Sequence, residues 1–114
     1  MPFINTKTNI SLSRKQKETV KTELGKAISL IPGKSEQWLM VGFEDSCPLY
    51  FAGDTLDPCA MVEIKILGSA SLEVYDQMTA KVTEIISKGF SIEPERIYVA
   101  YLNAPAWGHH GKNF

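Results

Sequence analysis

Cysteine is scarce in this 114-residue chain, and neither sign of charge is in excess. The two cysteines, Cys47 and Cys59, are too few for a disulfide scaffold or for a zinc site made of cysteine alone. The 12 basic residues balance 13 acidic ones, which leaves no basic surface of the kind that binds nucleic acid. These absences predict a reduced, cytoplasmic protein with no nucleic-acid partner.

Long apolar runs are also missing. None approaches the roughly 18 residues of a membrane span, and the first residues lack the charged and apolar segments of a secretory signal. We therefore expect no membrane partner. Apolar residues make up 44% of the chain and charged residues 22%, which is the ordinary balance of a globular protein. The length predicts a single domain over residues 1–114.

The first half of the sequence predicts a strand, a helix and a second strand. Residues 2–7 lean apolar and suit a strand. Ser11 or Ser13 can cap a helix over 14–31, in which apolar residues recur along one face. The nearly continuous apolar run at 38–44 is typical of a strand buried on both faces.

The second half repeats this order of elements. Residues 60–67 predict a strand, 71–88 an amphipathic helix closed by Lys88-Gly89, and 97–102 a second strand. Because corresponding points lie roughly 60 residues apart, we infer a duplicated βαβ unit. The alternative is a chance recurrence of common elements.

Two segments lie outside the repeat. Turn residues bracket a short apolar piece within 45–54, which predicts a brief extra strand. The tail from Trp107 to Phe114 is rich in glycine but begins and ends on aromatic residues, so we expect it to pack on the domain. Its adjacent His109 and His110 point to opposite sides of an extended chain. They predict a solvated tail rather than a metal site.

Pro2 is the most informative residue for function. The initiator methionine is usually removed before a small residue such as proline, and the chain then begins with a secondary amine. Burial and a nearby cation both lower the pKa of an amine, and a neutral amine is a competent general base. A Met-Pro start also occurs without any catalytic role, and Pro2 is an amide wherever Met1 remains attached.

Two further residues suit a substrate pocket. Lys34 follows Gly33 just before a predicted strand, where it can neutralise a substrate carboxylate and lower the pKa of the amine. Tyr98, near the start of the last strand, can donate a hydrogen bond. Each also has a plain structural interpretation, Lys34 as a surface lysine and Tyr98 as a half-buried strand residue.

In their order and spacing these residues resemble the macrophage migration inhibitory factor family of the tautomerase superfamily. The resemblance implies an α+β fold, in which two antiparallel helices pack on a four-stranded mixed sheet built from two βαβ units. It also implies a homotrimer with active sites at the subunit interfaces. It covers essentially the whole chain and is carried by the Met-Pro start, Gly33-Lys34, Asp57-Pro58-Cys59-Ala60, Leu67-Gly68, Pro94-Glu95-Arg96-Ile97-Tyr98 and the aromatic, glycine-rich tail.

The resemblance assigns a role to each candidate site residue. Pro2 is the expected catalytic base and Lys34 the carboxylate anchor, while Phe3 and Leu67 line the pocket of the same subunit. No metal and no organic cofactor is implied. The neighbouring subunit is expected to supply aromatic residues, namely Tyr98, Trp38, Trp107 and Phe114.

Three departures from the family pattern are visible. Ala100 stands where better-known members carry an asparagine donor, so one polar contact to substrate is missing. Trp38 stands where some members carry a tyrosine, and it offers a single N–H donor. Of a Cys-x-x-Cys found in some members only Cys59 remains, so we expect no thiol–disulfide activity unless Cys47 lies beside it.

The leading interpretation is a keto–enol tautomerase of the phenylpyruvate or dopachrome type, acting on a small α-keto acid. The alternative is a cytokine-like protein that binds a receptor after export without a signal peptide, its pocket being vestigial. Decarboxylation or dehalogenation is a weaker third interpretation. Those reactions generally require extra arginines or acids in the pocket, and Arg14 and Arg96 are the only arginines.

Overall fold

The computed structural model describes residues 1–114 and begins with a βαβ unit. Strand β1 (Pro2–Thr8) leads through helix α1 (Arg14–Ala27) to strand β2 (Met40–Glu44), which pairs with β1 in parallel. A 3₁₀ turn at Ile28–Leu30 extends α1. The helix predicted over 14–31 is thereby confirmed, with its last turn more tightly wound than an α-helix.

The second βαβ unit repeats the first. Strand β3 (Ala60–Leu67) leads through helix α2 (Leu72–Phe90) to strand β4 (Ile97–Ala104), again in parallel. Short 3₁₀ turns precede both closing strands, at Glu36–Trp38 before β2 and at Pro94–Arg96 before β4. The duplication predicted from the sequence is confirmed.

Serine side chains begin both helices. The hydroxyl of Ser13 accepts a hydrogen bond from the backbone N–H of Gln16, and the Gln16 side chain accepts one from the N–H of Ser13. The hydroxyl of Ser71 accepts from the N–H of Val74. Each cap satisfies a backbone N–H that has no partner within the helix, which is typically worth about 1 kcal/mol.

Helix α2 does not end at Gly89, as the sequence predicted. It continues to Phe90 and ends where Ser91 adopts a left-handed backbone conformation, with φ at +55°. Gly89 instead lies where α2 packs on α1, and a Cβ atom there would overlap the side chain of Val20. The glycine therefore permits close approach of the two helices.

The four strands form one sheet in the order β2-β1-β3-β4, with β1 and β3 antiparallel. Alternate residues of β1 and β3 are buried. Ile4 of β1 and the buried residues of β3 belong to a core of 18 apolar residues shared with both helices. Full burial of one such side chain stabilises the fold by about 1.5–3 kcal/mol. The opposite sheet face carries side chains such as Lys7 and Glu63, which form an ion pair of 3.6 Å.

Strand β2 differs from its prediction in two ways. It begins at Met40 because the preceding residues through Trp38 form a 3₁₀ turn. It lies at the edge of the sheet, and the side chains of Met40 and Glu44 are exposed. The predicted burial on both faces is therefore not found within one chain, which leaves β2 with an unpaired edge.

The segment 45–54 forms no strand, contrary to expectation, and contains only an isolated bridge between Phe51 and Asp54. The side chain of Arg96 binds the loop that follows this segment. Its Nε donates to the carbonyl of Pro58 at 2.9 Å, and its Nη2 donates to the carbonyl of Asp57 at 3.0 Å. Arg96 is thereby engaged in holding a loop.

The tail folds back as a small hairpin of β5 (Gly108–His109) and β6 (Lys112–Asn113). The backbone N–H of Phe114 donates to the carbonyl of Trp107 at 3.0 Å, which closes the hairpin. The ring of His109 rests against Trp38, with centroids 5.5 Å apart. The expectation that the tail packs on the domain is confirmed. Neither helix is both long and apolar enough to cross a membrane.

The helix contact yields a stability prediction. Gly89→Ala should lower the free energy of unfolding, because overpacking against Val20 costs about 1–3 kcal/mol and exceeds the roughly 1 kcal/mol gained in helix propensity. Urea denaturation at fixed protein concentration measures the change. Gly25→Ala is the control, since its new methyl group meets only the flexible end of Glu36 and should be neutral or stabilising. In the double variant Gly89→Ala/Val20→Ala the loss in free energy of unfolding should be smaller than the sum of the losses in the two single variants. Losses that add strictly would contradict the contact.

Candidate active site

A groove of about 490 Å³ opens where the start of β1 meets the start of β2 and the tail hairpin. Both tryptophans of the chain line it, and no aspartate or glutamate does. A smaller depression of about 220 Å³ lies between the two helices and shares no residue with the groove. Half of its lining residues are charged. The groove, which contains Pro2, is therefore the candidate active site.

Pro2 is held rigidly at one end of this groove. It is buried, and it begins β1 in register with Ile66 of β3. A proline is tolerated at the first position of a strand because no ladder hydrogen bond needs its missing N–H. Met1 precedes it in this structure, and the carbonyl of Met1 accepts from the N–H of Leu67 at 3.2 Å. The free amine of this chain is therefore that of Met1.

Lys34 brings a positive charge to the same place. It follows a turn in which Gly33 has a φ of +80°, and its backbone N–H donates to the carbonyl of Ile31 at 3.1 Å. Its Nζ donates to the carbonyl of Leu67 at 3.0 Å. Lys34 and Leu67, which are far apart in sequence, thus meet beside the N-terminus.

These surroundings change the protonation of the amine. The pKa of the Met1 amine is lowered, first by burial and then by the charge of Lys34 and a hydrogen bond with that side chain. Both effects disfavour the protonated amine. Burial and the charge of Lys34 therefore both shift the chain's amine toward its neutral form.

The aromatic wall comes from the same chain as Pro2, which corrects an expectation. We expected Trp38, Trp107 and Phe114 from a neighbouring subunit, yet both tryptophans line the groove together with Pro2. Phe114 stacks on His109, with centroids 5.9 Å apart. The tail hairpin folds back over the turn that carries Trp38, and the order of these residues in the sequence does not reveal this return.

Tyr98 does not reach the groove of its own chain. Its exposed ring packs on Phe51, with centroids 5.1 Å apart, and it pairs with Met61 of β3. Pro2 pairs with Ile66, five residues farther along the same strand, which corresponds to about 17 Å. Within a single chain Tyr98 and Pro2 cannot contact one substrate.

Phe3 lies where the sequence placed it, in the groove wall, and the Nζ of Lys65 is 5.8 Å from its ring centroid. Sequence reasoning missed Gln37, Met40 and His109, which also line the groove. For His109 a signal existed. Because adjacent residues of an extended chain face opposite sides, one histidine of a tail that packs on the domain must face that domain.

Comparisons with known proteins agree with this architecture. The family model for macrophage migration inhibitory factor (MIF) matches residues 1–114. The chain is similar to the MIF of Xenopus laevis, with 26% identity over 116 residues, spanning 100% of this chain and 99% of that protein.

Two solved structures extend the comparison. The crystal structure of Leishmania major MIF2 has 32% identity and a TM-score of 0.92, covering 100% of this chain and 97% of that one. Toxoplasma gondii MIF has 20% identity and a TM-score of 0.90, covering 98% and 99%. At that lower identity the likeness shows the fold alone. Two helices on a mixed four-stranded sheet, the fold that the sequence resemblance implied, are confirmed.

The geometry predicts how Lys34 affects the amine. In Lys34→Met the pKa of the Met1 amine should rise, because the nearby positive charge no longer opposes protonation. Burial is the larger cause, so the rise should restore only part of the shift. Carbon-13 NMR of the reductively methylated amine, followed as a function of pH, measures it. Lys65→Met is the matched control and should leave the amine unchanged; an equal rise in both variants contradicts a specific role of Lys34.

Proposed function

This chain belongs to the macrophage migration inhibitory factor family, and from that membership we propose that it is a keto–enol tautomerase of phenylpyruvate-type α-keto acids. Pro2 acts as the general base once Met1 has been removed. The observation that carries the proposal is the hydrogen bond from Lys34 Nζ to the Leu67 carbonyl, 3.0 Å long, beside the chain's amine. A cation beside the amine supports a site in which a base acts on an anionic substrate.

The reaction needs a proton to leave carbon and another to reach oxygen. The neutral Pro2 amine takes a proton from the carbon next to the carbonyl, and the C–H electron pair forms the C=C bond. The carbonyl π pair moves to oxygen, which takes a proton and completes the enol. The protonated amine then releases its proton to solvent, which returns the base to its neutral form and replaces the proton taken up by oxygen. No oxidant and no organic cofactor enters this balance.

Lys34 serves both base and substrate in this proposal. The imino nitrogen of Pro2 lies one residue from the amine of Met1, about 3.3 Å along the strand. That distance is well inside the roughly 8 Å over which physiological salt screens a charge. The ammonium group of Lys34 therefore lowers the pKa of the Pro2 amine and also attracts the carboxylate, which fixes the reacting carbon near the base.

The remaining walls suit an aromatic α-keto acid. Trp38 and Trp107 offer apolar surface to a ring, and the absence of acidic side chains from the groove lining avoids repulsion of the carboxylate. Arg96, which a decarboxylating or dehalogenating site would need, is engaged with the carbonyls of Asp57 and Pro58. These features favour tautomerisation over the other reactions considered.

We further propose a homotrimer in which each site borrows Tyr98 from a neighbour. Strand β2 offers an unpaired edge, and one face of the sheet is not covered by helices. Cyclic association of three chains would pair such edges. It would also bring a tyrosine to Pro2 that lies about 17 Å away within one chain.

Receptor binding is the second candidate, and one observation favours it. With Met1 attached, the Pro2 nitrogen is an amide, while Met1 itself forms part of the groove wall. A chain that keeps Met1 has the groove and lacks the base. Such a chain is suited to binding through this surface without turnover.

Activity should follow the removal of Met1. Protein whose intact mass shows complete loss of Met1 should interconvert the keto and enol forms of phenylpyruvate, measured by enol absorbance. Chains that retain Met1 should be near background. Pro2→Gly leaves a primary amine, so part of the activity should remain, with a loss within the 10²–10⁴-fold range typical of general-base catalysis, about 10². Equal rates for processed and unprocessed chains would refute the role of Pro2.

The shared site predicts complementation between two inactive subunits. Unprocessed chains have an intact Tyr98, and processed Tyr98→Ala chains have a free Pro2. After denaturation, mixing in equal amounts and refolding, about a quarter of the sites should combine a free Pro2 with an intact Tyr98. Rates should then exceed the sum of the separate preparations. Light scattering gives the assembly state, and a stable monomer or an absence of complementation contradicts the shared site.

A further inference from the structure

We propose that His109 is a second catalytic residue of this groove, one that exchanges a proton with the substrate oxygen while the N-terminal amine exchanges one with carbon. The inference rests on the proposed tautomerase function, and it identifies the group that acts on the substrate oxygen while the general base acts on carbon. Two observations support it: the position of the His109 imidazole in the tail hairpin, and the identity of the other residues that line the groove.

The hairpin holds His109 in a defined position. His109 pairs with Lys112 in the two-stranded ladder, and its ring lies between two aromatic rings. The indole of Trp38 meets it edge-on, with centroids 5.5 Å apart, and the ring of Phe114 stacks on it at 5.9 Å. His109 lines the same groove as Pro2 and Trp107.

The groove offers few other groups that can transfer a proton. The Gln37 amide and the two indole N–H groups donate hydrogen bonds but do not ionise near neutral pH. No aspartate, glutamate, cysteine or tyrosine of the same chain lines the groove. Lys34 Nζ donates to the Leu67 carbonyl, and its charge is assigned to the substrate carboxylate. Imidazole is the side chain whose ordinary titration lies near neutrality, so His109 is the group suited to exchange with oxygen.

The proton balance closes once the amine has released its proton to solvent and the imidazole has taken one up, so that both groups begin the next turnover in their starting states. As Pro2 removes the proton from carbon, electrons move through the new C=C bond to the carbonyl oxygen. The imidazolium of His109 gives its proton to that oxygen, and neutral imidazole remains. In the reverse direction the imidazole takes the hydroxyl proton of the enol while the protonated amine returns its proton to carbon.

His110 provides a matched control within the same hairpin. It is the next residue and has the same chemistry, but it sits in the turn with a φ of +54° and does not line the groove. Its ring centroid is 6.3 Å from that of His109. A general effect of removing a histidine from the tail would therefore appear equally at both positions.

The test uses chains free of Met1 and three variants, His109→Gln, His109→Phe and His110→Gln. Phenylalanine keeps a ring between Trp38 and Phe114, and glutamine keeps a hydrogen-bond donor, but neither exchanges a proton. We expect both His109 variants to lose about 10²-fold in kcat for phenylpyruvate. KM should change little, and His110→Gln should stay within about two-fold of the parent chain.

The outcomes separate the two proposals. Full activity in His109→Phe would show that the ring serves only as a wall, and full activity in His109→Gln would show that hydrogen bonding suffices; each overturns the proton-transfer role while leaving the tautomerase intact. No turnover by the processed parent chain overturns the proposed function and this inference with it. As a readout independent of rate, nitrogen-15 NMR of the parent chain should show phenylpyruvate shifting the His109 imidazole signals and not those of His110. Unchanged His109 signals at saturating phenylpyruvate contradict the contact.

Discussion

Backbone hydrogen bonds hold β1 between β2 and β3, and they fix the first residues of the chain at one end of the sheet. Phe3 pairs with Met40 on one side and with Lys65 on the other, so the first residues cannot fray as most chain termini do. The N-terminal nitrogen is consequently a positioned group. The groove, the effect of Lys34 and the choice of a base all depend on this placement.

A second consequence is electrostatic. The crossover from α1 to β2 returns the chain to the same end of the sheet, and Lys34 lies in the turn that makes this return. Its ammonium group is fixed by the Leu67 carbonyl, and burial acts with it to lower the pKa of the amine. In water two such cations would remain solvated and apart. Here the strand and the turn hold the two groups close together, which lowers the pKa of the amine.

The tail hairpin lines one side of the groove, although it is too short to form a hydrophobic core by itself. The hairpin of β5 and β6 is stabilised by the rings of Trp38, His109 and Phe114, so the same contacts that order the tail also build the wall. On the other side the sheet face and the β2 edge are uncovered within one chain. Tyr98 lies remote from Pro2 because β1 runs antiparallel to β3 and β4 runs parallel to it, so the two strands begin at opposite ends of β3.

Local signals in the sequence determined most of the fold. Apolar periodicity and serine caps located both helices, and the bounds predicted for β3 match the structure, since these patterns depend on neighbours along the chain. The resemblance brought Pro2, Lys34 and Leu67 to one site. The structure shows Lys34 bonded to Leu67, which in turn bonds to Met1, while the catalytic roles remain predictions. Tertiary structure alone decided that Gly89 is a helix contact rather than a helix end, that β2 is an edge, and that the tail returns over Trp38 and turns His109 into the groove. Each of these depends on packing between residues far apart in sequence, which no local pattern records.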